Sequence, residues 1–409
     1  MGTVAAVNAK RLHPKARIIL LLNALYNVAE SLCSVFVGVY FYVNSLDYRV
    51  VCYHYLALYI VTPCVFMLAG WYSQARDRVH VYRLGLMLHA VYYATLLWLR
   101  EDSADYAVPL GVLLGVTWGF FWAGSNTFDF DVTTPREREY YFGWLGAVSG
   151  TARLTAPLLS AFIIHLAPTN FLGYHVIFSV ALLIYLAALG FSLLVPHDRK
   201  RRPFRIRRAL FPGRDQWDWR WVMLASVSQA GVYSIFYFLL GLVMYMQTGS
   251  ELSVGGFAAL QACIAIAMAY FVGRKITAKT YLRAMRIGTV ILLVAGVLIL
   301  FRLSVFTLIL FGLLRSIAHP LFGIPHSSIR LDVIEQSAEN PSQRIEYLCA
   351  WEVPLALGRV IMIGGLILLA GYFDEMALRI VLFLLCANRL LTYFFISRIS
   401  FVREAQEDA

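Results

Sequence analysis

Residues 17–43 read RIILLLNALYNVAESLCSVFVGVYFYV, and this stretch decides the class of fold. After Arg17 it contains a single acidic or basic side chain, Glu30, among mostly apolar residues. An α-helix rises 1.5 Å per residue, so about 20 residues cross the roughly 30 Å hydrocarbon core of a bilayer. The stretch is therefore long enough and apolar enough to be a membrane-spanning helix.

The same criterion selects further stretches along the 409 residues. The predicted spans are residues 17–43, 51–73, 80–99, 106–128, 139–167, 173–195, 220–247, 252–273, 283–302, 304–324, 344–371 and 376–398. The segments between them are too short for a separate globular domain, and a helix satisfies its own backbone polar groups inside lipid. We therefore predict an all-α integral membrane protein with 12 transmembrane helices.

The composition and the motif content exclude several other classes of protein. Hydrophobic residues make up 60% of the chain and charged residues 14%, whereas soluble domains carry about 25% charged residues. The six cysteines are scattered through or beside apolar segments without a histidine at ligand spacing, so we expect neither disulfides nor a metal site. We find no HExxH, GxSxG or Walker motif, which disfavours an enzyme and an ATP-driven pump, and we expect no cofactor.

The net charge of +11 indicates orientation and not nucleic-acid binding. Basic residues cluster in the tail before residue 17, in the loop around Arg78, in the linker 196–219 and in residues 274–283, whereas the intervening loops are neutral or acidic. Because cytoplasmic loops carry the excess of Lys and Arg, both termini and the linker are predicted to be cytoplasmic in a plasma membrane protein. The basic linker would also attract anionic membrane lipids.

The two halves of the chain share a spaced pattern. Residues 138–141 read REYY and precede Arg153, and residues 344–347 read RIEY and precede Arg359. The separation between the two arginines is fifteen residues in both halves. A duplicated six-span unit explains this repeat, and two such units related by an axis along the membrane normal form a known transporter architecture.

With this repeat, the chain resembles the major facilitator superfamily (MFS) over its full length. The shared features are six plus six spans, a long central cytoplasmic loop and both ends inside. The resemblance implies a transporter made of an N-terminal six-helix bundle at residues 1–195, a basic linker at 196–219 and a C-terminal six-helix bundle at 220–409.

Two loops of the chain are similar to gating segments of the superfamily. The loop between spans two and three usually reads GxxxDxxGR[RK] in the family; residues 70–79 read GWYSQARDRV, so Gln74 replaces an acid that normally helps to gate the cytoplasmic side. The connection between spans four and five looks like a cytoplasmic charge lock. The resemblance thus implies gating roles for Gly70, Arg78, Asp129, Asp131, Arg138 and Arg344.

A segment of span five bears on the direction of transport. Exporter-type members often carry GxxxGPxxGG there, and residues 152–161 read ARLTAPLLSA, with the proline retained and small residues at the glycine positions. Small residues permit close helix approach and proline bends the helix, so the resemblance favours export slightly. Span four lacks the arginine that drug/proton antiporters usually hold there, so a standard multidrug mechanism is not implied.

Ionisable side chains at the bilayer midplane cost about 3 kcal/mol by insertion scales, so each needs a partner or a task. Glu30 lies near the middle of span one, on a polar stripe with Asn23 and Asn27. It is either a structural carboxylate tied to a neighbouring helix or a proton carrier. Arg153 lies equally deep in span five, which the family places close to span one, and we predict a Glu30–Arg153 ion pair.

The second half carries its own deep charges. Arg315 and His319 share a face of span ten, and Glu352 and Arg359 share a face of span eleven, because offsets of four and seven return to the same side of a helix. The two arginines and Glu352 form either a buried structural network or part of the coupling machinery, and His319 is either a core histidine or a cavity residue. Three deep arginines against two glutamates leave the interior slightly cationic, which favours an anionic or zwitterionic substrate.

By resemblance, spans four and seven line the central cavity. Their aromatic rings with a few polar tips suit an amphipathic organic solute better than a bare ion, although each ring could instead serve helix packing or face lipid. The predicted cavity residues are Asn23, Asn27, Trp118, Trp122, Asn126, Gln229, Tyr233, Tyr237 and His319.

The leading hypothesis is alternating-access transport of a small amphipathic organic solute, coupled to protons, by a monomer. Its expected partners are the solute, protons and membrane lipids. Translocation of a lipid or glycolipid by the same fold is one alternative. A second alternative is a membrane scaffold or sensor that keeps the fold without transporting, which the altered loop at Gly70 supports.

Overall fold

A computed structural model describes the backbone of residues 12–131, 135–197, 203–340 and 343–407; the side chains of 127–131, 135–139, 233, 373–374 and 405–407 are outside the description. Within these ranges every regular element is helical. The long helices are α1 Pro14–Ser45, α2 Tyr48–Ala75, α3 Arg78–Leu99, α4 Ala107–Asp131, α5 Pro135–Leu166, α6 Asn170–Ser192, α7 Trp217–Thr248, α8 Glu251–Lys275, α9 Tyr281–Phe301, α10 Val305–Ser337 and α11 Arg344–Ile396, followed by the short α12 Ser400–Glu407.

Eleven stretches of the described chain are long and apolar enough to cross a membrane. The helix α3, predicted as the third span, is not among them, although it has 22 residues and packs between α4 and α6. The all-α membrane fold is thus confirmed, and the count of 12 remains a prediction. The division at residues 195 and 220 also remains a prediction.

The last two predicted spans form one unbroken helical run of 53 residues. At 1.5 Å per residue a straight helix of this length would measure about 80 Å, far beyond the thickness of a bilayer. The run contains two apolar stretches, Arg344–Tyr372 and Glu375–Ile396. The amide of Asn388 lies 3.8 Å from the sulfur of Met362, so the two stretches lie side by side and the chain reverses between them.

Short polar side chains start several of the helices. In each case a side-chain oxygen accepts a hydrogen bond from a backbone N–H of the first turn, which satisfies a donor that has no partner within the helix. The capping residues are Asp47 for α2, Asp77 for α3, Thr169 for α6, Ser250 for α8 and Ser304 for α10. Each of these caps marks the residue at which a new helix begins.

Asn23 connects four of the six helices α1–α6, which we call the first or N-terminal bundle; α7–α12 are called the second or C-terminal bundle. Its amide donates to the hydroxyl of Tyr141 on α5 at 3.0 Å, and its carbonyl oxygen accepts from Tyr82 on α3 at 3.1 Å and from Ser125 on α4 at 3.4 Å. One buried side chain of α1 therefore bonds to three other helices. Asn27 donates to the backbone carbonyl of Asn23 at 2.7 Å, within α1 itself.

The two bundles contact each other at both ends of the molecule. The linker joins α6 to α7, and we name that side of the molecule the linker side and the opposite side the far side. On the far side, Glu251 of α8 accepts hydrogen bonds from Asn170 and Tyr174 of α6, both at 3.0 Å. Toward the linker side, Gly70 of α2 lies against Cys349 of α11, where an added Cβ would be 2.4 Å from the sulfur.

Candidate functional site

Glu30 connects the two bundles in the interior of the protein. Its carboxylate accepts a 2.6 Å hydrogen bond from the hydroxyl of Tyr237 on α7 and a 3.3 Å bond from Tyr185 on α6. Tyr185 belongs to the same bundle as Glu30, whereas Tyr237 belongs to the other bundle. This single acid therefore takes part in a direct contact between the bundles.

The predicted Glu30–Arg153 ion pair is not formed in this structure. The two hydroxyl groups already occupy the carboxylate of Glu30, and the side chain of Arg153 is exposed on α5. Arg153 acts on Glu30 only through space. The charge of Arg153 also acts on Tyr26 and His319, so this arginine faces the interior without contacting the carboxylate of Glu30.

Arg359 and Glu352 form the second charged part of the site. Arg359 Nη1 lies 3.4 Å from Glu352 Oε2, and Arg359 Nε donates to the hydroxyl of Ser234 on α7 at 2.7 Å. Each charged side chain is only 13% exposed. The guanidinium also lies 4.8 Å from the ring centre of Tyr59 on α2, so this arginine also contacts both bundles.

The predicted network of Arg315, Glu352 and Arg359 is reduced to the pair Glu352–Arg359. Arg315 instead donates to Gln261 on α8 at 3.2 Å and stacks its guanidinium 5.1 Å from the ring centre of Phe236. One turn along α10, His319 lines a small cavity together with Arg315. The shared face of these two residues is therefore as predicted.

Three aromatic side chains connect the acid to the arginine. The indole of Trp118 on α4 packs edge-on against Tyr237 at 6.5 Å and against Tyr59 at 6.4 Å between ring centres. Tyr237 bonds to Glu30 and Tyr59 contacts Arg359. We call this set of Glu30, Tyr237, Trp118, Tyr59 and Arg359 the central site.

The indole N–H of Trp118 adds a polar group to the central site. It is buried and has no hydrogen-bond partner among the described residues. A buried donor without a partner costs about 1–3 kcal/mol. A substrate atom that accepts this hydrogen bond would remove that cost. The central site thus offers aromatic rings, one carboxylate, one guanidinium and one hydrogen-bond donor without a partner among the described residues.

A small cavity lies inside the C-terminal bundle. Arg315, His319 and Arg389 line a cavity of about 10 Å³, which is close to the volume that one water molecule requires. Arg389 is 2% exposed and lies 4.2 Å from the ring centre of Phe322. Arg389 was not among the predicted site residues, although a charged residue midway along the last span is the same signal that marks Glu30.

The other predicted cavity residues are spread over different surroundings. Asn23 and Asn27 bond to the protein itself, and Trp122 is 38% exposed and packs edge-on against Tyr26. Asn126 is partly exposed. Gln229 is buried, and its amide oxygen has no partner among the described residues; the side chain of Tyr233 lies outside them.

The predicted gating residues are also spread over separate contacts. The buried Arg78 donates to Gln74 at 3.4 Å, so the residue that replaces the family's acid still bonds to the arginine of the loop. Arg344 forms an ion pair with Glu335 near the linker side. The side chains of Asp129, Asp131 and Arg138 lie outside the described residues.

The sequence profile of the Major Facilitator Superfamily matches residues 16–327. The chain belongs to this superfamily. The match confirms the resemblance drawn from the repeat and the loop motifs. It identifies the protein as a multi-pass membrane transporter, in a superfamily whose members are generally not enzymes.

One curated relative is similar to this chain in sequence, and two solved transporter structures are similar to it in fold. The chain is 29% identical to YqgE of Bacillus subtilis (strain 168) over 391 residues, which cover 95% of this chain and 91% of that protein. The crystal structure of the POT family transporter PepTSo aligns with a TM-score of 0.75 at 12% identity, over 98% of this chain and 99% of that one. A bacterial homologue of the iron transporter ferroportin, inward-facing, aligns with a TM-score of 0.68 at 15% identity, over 93% and 97%.

Proposed function

We propose that this protein moves a small amphipathic organic solute, anionic or zwitterionic, across the plasma membrane by alternating access coupled to protons. Glu30 is the proton carrier, and the central site binds the solute. The linker side and both termini face the cytoplasm, in agreement with the basic residues of the linker. The transporter works as a monomer in contact with anionic membrane lipids.

The observation that carries this proposal is the contact between Glu30 and Tyr237. An ionised carboxylate accepts two charge-assisted hydrogen bonds, one from each bundle, and such bonds are roughly twice as strong as neutral ones. Protonation removes the charge and weakens the bond to α7. Because the bundles must move apart on one side in each transport step, a proton on Glu30 lowers the cost of breaking their contact.

The central site also suggests the chemistry of the solute. Trp118, Tyr59 and Tyr237 offer an apolar wall that suits an aromatic or aliphatic body. The guanidinium of Arg359 can bind a carboxylate or phosphate through a bidentate pair of hydrogen bonds, but only if its ion pair with Glu352 breaks. An anionic group on the solute would therefore compete with Glu352 for the same arginine.

Export is the direction we propose, in line with the span-five motif. At that motif Gly255 of α8 packs against Pro157 and Ala161 of α5, with an added Cβ only 2.5 Å from the Cβ of Ala161. The small residues of the motif thus serve close approach between the bundles. This contact lies on the far side, which must open for release to the exterior.

Flux through proteoliposomes tests the proposal. Purified protein would be reconstituted and assayed with radiolabelled aromatic carboxylates and dipeptide-sized zwitterions, with and without an imposed pH gradient. We expect the intact protein to respond to the gradient and Glu30→Gln to be insensitive to it. Glu375→Gln, which removes an exposed acid paired with Arg379, is the matched control and should behave as the intact protein.

The alternatives predict different results in the same vesicles. A lipid translocase would leave these solutes untouched and would move a fluorescent lipid analogue between the leaflets. A scaffold or sensor would move neither. Equal solute flux by intact protein and Glu30→Gln under both conditions would remove Glu30 as the proton carrier.

A further inference from the structure

Three metal-ligating side chains meet on the linker side, away from the central site. Asp77 ends the loop between α2 and α3, His80 lies in the first turn of α3, and His197 follows α6 at the start of the linker. One ligand atom from each residue lies within 4.8 Å of the other two. The carboxylate of Asp77 is 2.6 Å from Nδ1 of His197, and the two imidazole rings are 5.0 Å apart, edge to face.

The backbone around this cluster is held in place from two directions. Asp77 is 2% exposed, and its Oδ1 accepts a 2.8 Å hydrogen bond from the N–H of Val79, which fixes the carboxylate at the start of α3. Arg83, one turn farther along α3, donates to the carbonyl oxygens of Ser192 and Val195 at 2.9 and 3.0 Å. These bonds hold the end of α6 against α3, and His197, two residues after Val195, therefore lies next to Asp77.

We propose that Asp77, His80 and His197 bind a divalent transition-metal ion such as Zn²⁺. Two imidazoles and one carboxylate are a ligand set that suits Zn²⁺ and its neighbours, and three protein ligands leave a fourth position for water. Around an ion with bonds of about 2.0–2.2 Å, ligand atoms lie roughly 3.3–3.6 Å apart. The 2.6 Å contact between Asp77 and His197 must therefore widen to admit the ion, and ligand atoms as far as 4.8 Å apart must move closer. Both histidines are exposed, so their rings can rotate into place around the fixed carboxylate.

The ion would connect the loop between α2 and α3 and the first turn of α3 to the start of the linker. Gly70, near the end of α2, and Arg78, the first residue of α3, lie on either side of that loop and resemble the family's gating segment. The bound metal therefore restrains the linker where it leaves the N-terminal bundle. The three ligands are not part of the central site, so the proposed ion is a ligand that acts on the moving parts and is not cargo.

This cluster cannot be recognised from the sequence alone. Asp77 and His80 are three residues apart, but His197 follows 117 residues later, which matches no metal-binding spacing. Only the contact between the end of α6 and the start of α3 brings the third ligand into range. The expectation of no metal site rested on sequence spacing, and the folded arrangement of these three residues differs from it.

Cobalt binding tests the proposal on the full-length protein in detergent, after its affinity tag has been removed. Co²⁺ is titrated at neutral pH while its visible absorption is recorded, and Zn²⁺ is then added as a competitor. We expect one Co²⁺ per chain with the spectrum of a low-coordinate nitrogen- and oxygen-ligated ion, displaced by Zn²⁺. His80→Ala and His197→Ala should each weaken binding by more than the roughly tenfold that loss of an outer-shell partner costs.

Two further variants serve as controls for the Co²⁺ titration. Asp77→Asn retains an oxygen that can cap α3 but removes the charge, so it should weaken Co²⁺ binding without loss of a monodisperse, folded protein. His165→Ala removes an exposed histidine at the far end of α5 and should bind as the intact protein does. An absent Co²⁺ spectrum, or one unchanged in both histidine variants, would overturn the proposal, and neither result depends on whether Glu30 carries protons.

Discussion

The hydroxyl of Tyr237 on α7 donates a 2.6 Å hydrogen bond to the carboxylate of Glu30 on α1. These residues are 207 positions apart in sequence and belong to different halves of the transporter. An acid near the bilayer midplane is expensive unless it has a partner, and here the partner comes from the bundle that must move relative to it. The charge that stabilises the closed contact is thus the charge that a proton can remove.

Removal of this hydroxyl should uncouple flux from the pH gradient. Hydrogen bonds to charged groups contribute about 1.5–3 kcal/mol, so in Tyr237→Phe the bundles should separate whether or not Glu30 carries a proton. We expect solute flux in proteoliposomes to persist and its response to the gradient to fall by about tenfold or more. Tyr245→Phe is the control, because Tyr245 also packs between bundles, against Tyr42, without contacting Glu30. A gradient response equal to that of the intact protein would contradict the coupling role of Tyr237.

Loss of Arg359 should destabilise the protein by leaving a buried acid uncompensated. Removal of one partner of a buried ion pair costs about 3 kcal/mol, and Arg359→Ala leaves Glu352 without a cation. We expect a lower Tm in detergent, measured by thermal unfolding. The double variant Glu352→Gln with Arg359→Ala should recover part of the loss, since no charge remains unpaired. No change in Tm for the single variant would show that the pair is solvated.

A methyl group at Gly255 should disturb the contact between the bundles on the far side. An added Cβ would lie 2.6 Å from the backbone oxygen of Pro157, which cannot move aside as a flexible side chain can. We expect Gly255→Ala to lower both Tm and solute flux. Gly256→Ala is the matched control, because an added Cβ there meets nothing within 4 Å and alanine is the better helix former by about 1 kcal/mol. Equal behaviour of the two variants would contradict close packing at this contact.

The orientation of the chain can be measured with single cysteines. In a cysteine-free background, one cysteine replaces Leu46 between α1 and α2 and another replaces Gly213 in the linker. If the linker is cytoplasmic, a membrane-impermeant maleimide added to whole cells should label position 46 and leave position 213 unlabelled until the cells are opened. The reverse pattern would place the linker outside and contradict the orientation that the basic residues predict.

Hydropathy and spacing predicted the membrane helices well because the bilayer imposes length and apolarity directly on the sequence. The reversal within α11 is visible in sequence as a break between two apolar stretches. Glu30 and Arg359 could be selected for the same reason, since a charge inside a span violates the pattern. Arg389 meets this criterion as well and could have been found.

The partners of these charges could not be predicted. Depth along a helix follows from counting residues, but the choice between Arg153 and Tyr237 as the neighbour of Glu30 depends on how each helix is rotated and how the bundles dock. The link between Asp77 and His197 likewise requires the end of α6 to lie against α3. Such contacts join segments more than a hundred residues apart, and no local pattern records them.

Asn23 bonds to three neighbouring helices, and this arrangement constrains how the molecule can move. A helix tied in this way cannot tilt alone without breaking several buried bonds at once, so the N-terminal half should travel as one rigid body. Spin labels placed in pairs within that half would then keep constant separations through a transport cycle, while pairs spanning the two halves would change. We therefore expect the N-terminal half to rotate as a rigid body during transport, without bending of its single helices.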